Sequence, residues 1–267
     1  TDTFYIDSTH AGTTQLYAGD GNNVTNQRDD TIAVRTISGV TTIHGQRGND
    51  GMLVNVRYDG GLPPLVGADA ANDAQFERTH LNGLGAVLNL HGEGDSDDVT
   101  VNLAGKGTAL VNVHDNGAEN DGVDTLTING ADDPTPAANN DDTFLLRRDF
   151  VALLNASDGG SVFDQVERVN YDENINARLT VNGLSGNDRF VADDNSSITT
   201  IDGGAGNDNI QIGQIFGTKR DAAANVAPGD EFETTPVIIG TIIDPDPTSP
   251  THNQIIFDPT LFTVGED

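Results

Sequence analysis

The residues here whose types and spacing could do chemistry are aspartates that close glycine-rich turns. From Ile201 to Ile212 the chain reads Ile-Asp-Gly-Gly-Ala-Gly-Asn-Asp-Asn-Ile-Gln-Ile, with Gly203, Ala205 and the closing Asp208 inside the turn. Twenty residues earlier, Gly183, Ser185 and Asp188 hold the same places, and Gly45, Arg47 and Asp50 repeat them near the N-terminus. Looser copies run from Leu90 to Val101 and from Val113 to Ile128, while Asp29-Asp30 and Asp141-Asp142 keep only the strand-entry half. Glycine lets a turn point several carbonyls inward. A hard cation such as calcium takes six to eight oxygens and accepts carbonyls as readily as carboxylates. Stacked repeats would set the aspartates in a column, repulsive unless a cation lies within it. Asp188 and Asp208 are the best-specified pair.

These turns need elements to hold them. The repeating unit is apolar-x-Gly-x-x-Gly-Asn-Asp-x-apolar-x-apolar: a period-2 strand enters a turn, an acid closes it, and another period-2 strand leaves. Closing acids at 30 and 50, at 124 and 142, and at 188 and 208 set a period near 20. Such a period with two or three strands predicts an all-β parallel β-solenoid of eight to ten coils. Its core ladders would be Ile32, Val34, Val54, Val56, Leu88, Leu90, Val99, Val101, Leu126, Ile128, Phe190, Ile201, Ile210 and Ile212. Residues 1–267 read as one domain with irregular loop insertions at about 57–82, 131–140, 155–176 and 217–250. The first of these could carry a short helix. Thr3–Ile6, Gln254–Phe257 and Leu261–Val264 read as strands. With strand-like text at both ends, the chain reads as a segment of a longer repeat protein, or as a unit whose ends meet other units.

Composition narrows the function. The 267 residues carry 42 acidic and 13 basic side chains, a net charge of −29. That excludes binding to nucleic acid or to an anionic membrane by charge. No apolar run approaches the ~18 residues of a membrane span. The absence of Cys removes disulfides, thiolate metal sites and thiol nucleophiles. Together with abundant Asp, Asn and Gly, it suits an extracellular or bacterial cell-surface location. Short Val, Ile, Leu and Thr runs distinguish the chain from a disordered acidic tail.

The segment Gly203 to Gln211 resembles the glycine- and aspartate-rich nonapeptide of the RTX (repeats-in-toxin) calcium-binding β-roll and fits every position of that pattern. Gly183 to Val191 and Gly45 to Leu53 each lack the second glycine. The resemblance implies a right-handed parallel fold with Ca2+ between the turns of successive coils. It nominates Gly183, Ser185, Asp188, Gly203, Ala205 and Asp208 as ligand positions, with Gly45, Arg47 and Asp50 behind them. The family repeats its motif every nine residues, whereas here it occurs once per coil. That departure favours a wider, less regular β-helix with isolated calcium sites.

Other residues read as structural. His44, His91 and His114 each follow a strand where other copies have Asn or Asp, so they read as polar turn-formers, with a histidine stack as the alternative. The doublets Asp97-Asp98, Asp141-Asp142 and Asp193-Asp194 read as a solvated face. Arg57, Arg147-Arg148 and Arg178 read as charge compensation. Thr41-Thr42 and Thr199-Thr200 supply no threonine ladder of the kind an ice-binding solenoid needs. No nucleophile elbow, zinc-protease helix motif or phosphate loop is present. The expected function is non-enzymatic: a calcium-stabilised structural repeat domain of a large bacterial surface or secreted protein, such as an adhesin stalk, surface-layer or filament subunit. Its expected partners are calcium and neighbouring repeats or copies, end to end. The alternative is a calcium-dependent polysaccharide lyase or epimerase, or a carbohydrate-binding module.

Overall fold

The computed structural model describes residues 2–19, 29–58, 76–117, 122–135, 140–157, 162–193, 196–213, 241–243 and 255–257. All regular elements among them are β-strands. The first sheet has seven parallel strands in the order β1 (Thr3–Ile6), β3 (Thr31–Val34), β5 (Gly51–Val54), β9 (Asp98–Asn102), β11 (Thr125–Asn129), β15 (Arg178–Asn182) and β17 (Thr199–Asp202). The second has nine, in the order β18 (Asn209–Ile212), β16 (Arg189–Ala192), β12 (Thr143–Arg147), β13 (Phe150–Asn155), β14 (Gln165–Tyr171), β10 (Ala109–His114), β8 (Leu88–Gly94), β4 (Thr41–Arg47) and β2 (Thr14–Tyr17). Within it β13 alone runs antiparallel to its neighbours.

The chain alternates between the two sheets, leaving the first by outbound turns and re-entering it by return turns. Alternation of apolar and polar residues makes the strands: β4 and β10 bury every second residue. The buried positions stack in register. Ile32, Met52, Val99, Leu126 and Leu179 form one column, and Val34, Val54, Val101, Ile128 and Val181 another. In the second sheet the rings of Phe144 and Phe190 stack at 4.9 Å, each burial contributing roughly 1.5–3 kcal/mol. Side chains from both sheets make one continuous core.

The expected core residues through Phe190 are buried and Ile201 packs on the core's margin, but Ile210 and Ile212 are exposed. The reason is their place: β17 and β18 end their sheets, and no described strand pairs beyond them. The described ends of the first insertion form an antiparallel pair, β6 (Val56–Tyr58) with β7 (Phe76–Arg78), and the Ala/Asp-rich stretch expected to carry a short helix lies outside the described residues. Tyr58 and Phe76 close on Tyr5, each ring pair at 5.9 Å. Within 155–176 the chain builds β14, and β13 and β14 enter the second sheet as an extra antiparallel excursion. Much of 217–250 and all of Leu261–Val264 lie outside the described residues; β19 (Thr241–Ile243) pairs antiparallel with β20 (Ile255–Phe257).

Polar ladders cover the outer faces. Asn129 donates to Asn102 at 2.9 Å and Asn182 to Asn129 at 2.8 Å. Beside them Thr100, Thr127, Thr180 and Thr200 share one register column, so a threonine column does form where sequence spacing showed none. Its partner column is Asn and Asp rather than Thr, and Arg178 Nη1 crosses the face to Thr200 Oγ1 at 2.6 Å.

Candidate functional site

The closing aspartates form two columns, one through the return turns and one through the outbound turns. In each, the backbone N–H of one aspartate donates to Oδ1 of the next. The return column runs from Asp2 to Asp30 (2.5 Å), Asp30 to Asp50 (2.7 Å), Asp50 to Asp97 (2.8 Å) and Asp97 to Asp124 (2.9 Å), and Asp124 then donates to Asn176 (3.1 Å). The outbound column runs from Asp142 to Asp188 (2.8 Å) and Asp188 to Asp208 (3.0 Å). Asp50 and Asp188 thus stand in different columns although their motifs align. Asp124 and Asp142, spaced like one period, close turns of opposite kinds.

Asp97 and Asp142, expected on a solvated face, are buried, as is Asp193. A signal for Asp97 existed: it follows Gly92 by five residues, as Asp50 follows Gly45, Asp188 follows Gly183 and Asp208 follows Gly203.

Five of the turns fit the carboxylate under a glycine, at Gly45, Gly92, Gly130, Gly183 and Gly203. A methyl group added at Gly183 would stand 2.0 Å from Asp188 Oδ2 and 2.5 Å from the Gly203 carbonyl oxygen. At Gly45 the same position lies 2.6 Å from Asp50 Oδ2 and 2.8 Å from the Gly92 carbonyl oxygen. Gly130 repeats this with Asp142 Oδ2 and the Gly183 carbonyl. One carboxylate oxygen and one carbonyl from the next pass therefore converge at Gly45, Gly130 and Gly183, while at Gly92 and Gly203 the nearest atoms belong to the closing aspartate alone. Oδ2 of Asp50, Asp97 and Asp188 is buried with no hydrogen-bond partner among the described residues, and the three side chains are 1, 3 and 1 % exposed.

Backbone shape holds these turns even where the sequence departs. The second-glycine position is left-handed in all four copies, with φ of 76° at Gln46, 77° at Glu93, 73° at Leu184 and 83° at Gly204.

Burial makes these carboxylates hard to ionise. It pushes Asp97 up to about 8, with the charges of Asp50, Asp124 and Asp115 adding to the rise. Asp142 is likewise pushed to about 8 by burial, with Asp188 and Glu167 adding. Asp50 and Asp188 rise to about 6, again chiefly by burial. A buried carboxylate with an unmet oxygen is satisfied either by a proton or by a cation.

Of the nominated ligand positions, Asp188 Oδ2 and the Gly203 carbonyl come together at one level, as do Asp50 Oδ2 and the carbonyl facing Gly45. Asp208 closes the outbound column, its Oδ2 against Gly203. Ser185 Oγ donates instead to Asp132 at 2.7 Å, and the Ala205 carbonyl accepts the Gly186 N–H at 2.9 Å. These hard oxygens suit calcium in kind. Among the described residues no three His, Asp or Glu side chains are grouped as a metal cluster, so a cation here would rest on one carboxylate per level plus main-chain carbonyls.

No protein family, characterised protein or solved structure matches the chain. Its chemistry has to be read from its own side chains.

The histidines lie on strands rather than in turns, stacked in one column on the outer face of the second sheet. Tyr17 stacks on His44 at 4.5 Å, His44 on His91 at 4.9 Å and His91 on His114 at 5.3 Å. His44 Nδ1 meets Glu93 at 2.6 Å and His114 Nδ1 meets Asp172 at 3.1 Å. Burial and the two flanking imidazoles hold His91 below its usual value.

Glu167 was invisible in sequence. Fully buried on β14, it accepts the backbone N–H groups of Ala104 at 3.0 Å, Gly105 at 2.7 Å and Lys106 at 3.2 Å. Three successive amides on one carboxylate pin that outbound turn.

Proposed function

We propose that this chain is a right-handed parallel β-solenoid stabilised by calcium at its glycine–aspartate turns, serving as a structural repeat segment of a large extracellular or cell-surface protein. One observation carries the reading: at Gly45 and Gly183 alike, an unpartnered, buried carboxylate oxygen and a carbonyl of the next pass converge on the space a Cβ would fill. Two columns of such carboxylates in a chain of net charge −29 oppose the compact state. Calcium binding to the folded turns, but not to the unfolded chain, offsets that repulsion in proportion to ion supply. Resemblance to the RTX nonapeptide at Gly203 to Gln211 supports the same ion.

A scaffold role fits the rest. The outer faces carry amide, threonine and histidine columns, and among the described residues both sheets end in strands bonded on one side only. Such edges suit continuation into further repeats or end-to-end contact with another copy.

Thermal unfolding by circular dichroism, with sizing, in chelator and then in millimolar calcium tests the reading. A melting temperature raised by calcium supports it. A fold and melting temperature indifferent to chelator would remove calcium from the account.

A further inference from the structure

Of the four outbound turns from Leu103 onward, three close with Asp142, Asp188 and Asp208, but the turn from Leu103 to Thr108 has no aspartate. Two ionic side chains from elsewhere converge on it. Glu167 takes its amides, as described above. Arg78, at the end of β7, donates through Nη2 to the Leu103 carbonyl at 2.7 Å and also to the Gly130 carbonyl.

Gly130 stands in register with Gly183 and Gly203, because Leu103 donates to Asn129, Gly130 to Asn182 and Gly183 to Asp202. Its carbonyl therefore faces the Leu103 pass as the Gly183 carbonyl faces the Gly130 cradle. At the Gly183 level such a carbonyl meets a carboxylate oxygen; at the Leu103 level it meets a guanidinium. Arg78 Nε and Nη1 are buried without a hydrogen-bond partner among the described residues, so the two carbonyls take only part of the guanidinium's donors. Burial holds the Arg78 guanidinium below its ordinary value, and the charges of Asp132, Asp142 and Glu167 work against that, favouring the charged form. Lys106 Nζ instead reaches Asp133 at 3.4 Å, on the exposed side of the turn.

We propose that Arg78 is a built-in counter-ion, closing the outbound aspartate column at its Asp142 end and taking, at the Leu103–Gly130 level, the place that a bound divalent cation takes at the Gly183 level. The comparison with a bound ion rests on the calcium reading above; the charge role of Arg78 does not. The insertion that ends in β7 then delivers a fixed positive charge to the one described outbound turn among these four that lacks its own acid.

Unfolding of the full chain in chelator at about pH 8 tests this with Arg78→Gln, Arg78→Lys, Asp142→Asn and the double variant Arg78→Gln/Asp142→Asn. Arg78→Gln should melt at least about 3 °C lower, and Arg78→Lys should retain half or more of that difference. Adding Asp142→Asn should recover most of the loss, since the acid left without a counter-charge is then neutral. Equal losses for Arg78→Gln and Arg78→Lys, or no recovery in the double variant, would show a guanidinium that merely bonds carbonyls and would overturn the proposal. Should Arg78→Gln fail to fold, folding of the double variant decides in favour and its failure decides against. The same set in millimolar calcium separates the two readings: a wild-type protein indifferent to calcium removes the ion, while the Arg78–Asp142 coupling in chelator still stands or falls alone.

Discussion

The backbone N–H of Asp50 donates to Oδ1 of Asp97 at 2.8 Å across 47 positions of sequence. The carboxylate of each such aspartate thereby holds the main chain of the pass before it, while at Asp50, Asp97 and Asp188 the second oxygen is left for a proton or an ion. At the last step of the return column Asn176 does the holding instead, with a neutral amide.

Asp97→Asn copies that natural substitution at a position of the return column where burial pushes the carboxyl up to about 8. Its amide oxygen can still accept the Asp50 N–H, and a buried charge is removed. In chelator at about pH 8 the variant should be more stable than wild type by about 1–2 kcal/mol, measured by urea unfolding. Its gain on adding calcium should shrink. A variant destabilised in chelator would show that the ionised carboxylate already has its counter-charge.

The pH profile follows from the same groups. Asp97 and Asp142 are pushed up to about 8, and Asp50 and Asp188 to about 6, all above the ordinary carboxylate value they regain on unfolding. The unfolded chain therefore releases these protons first. Their contribution is complete below about pH 4 and is lost as the pH rises through about 6 and then about 8. In chelator the melting temperature should fall between about pH 5 and about pH 9. Because calcium takes the deprotonated form, its stabilisation should grow over that interval. A chelator profile flat from acid to base would contradict buried, half-satisfied carboxylates.

The glycine cradles are tested by size. Gly183→Ala forces a methyl group against Asp188 Oδ2 and the Gly203 carbonyl, at 2.0 and 2.5 Å. Neither neighbour can retreat without breaking the column, so a loss of about 2–3 kcal/mol is expected. Gly51→Ala is the control: it lies in β5, and a methyl group there finds its nearest atom at 4.0 Å. It should change stability by less than about 1 kcal/mol in either direction. Equal losses at both sites would mean that glycine acts here through chain entropy rather than room.

Much of this arrangement was legible because strand alternation and turn spacing are local. Val34, Val54, Val101 and Ile128 read as core ladder residues and stack as one column. Asp188 and Asp208 read as one repeat apart and are hydrogen-bonded neighbours. The reading failed where a local interval had a non-local meaning. Asp124 to Asp142 spans only β11 and one turn, and the insertion at 131–140 lengthens that half pass until it mimics a full one. The buried member of an acidic doublet is set by which residue meets the strand entry, so Asp97 turns in while Asp98 turns out. Glu167 and Arg78 carried no signal, since their partners lie 62 and 52 residues away.

The left-handed second position of the turn gives the sharpest test of shared geometry. Gln46 holds φ of 76° where the full nonapeptide copy has Gly204 at 83°. An L-residue there bears roughly 1–2 kcal/mol of strain, while glycine adopts that conformation freely but loses more entropy on folding. Gln46 is half-buried beside Glu93 in register, so little packing is lost with its side chain. Gln46→Gly should therefore stabilise the chain by about 0.5–1 kcal/mol, read as a higher urea midpoint at unchanged slope. Gln46→Val, β-branched and poorly suited to that region, should shift the midpoint the other way. If Gly destabilised and Val did not, the turn at Gly45 to Asp50 would not have the shape of the turn at Gly203 to Asp208, and the common geometry of the cradles would fail with it.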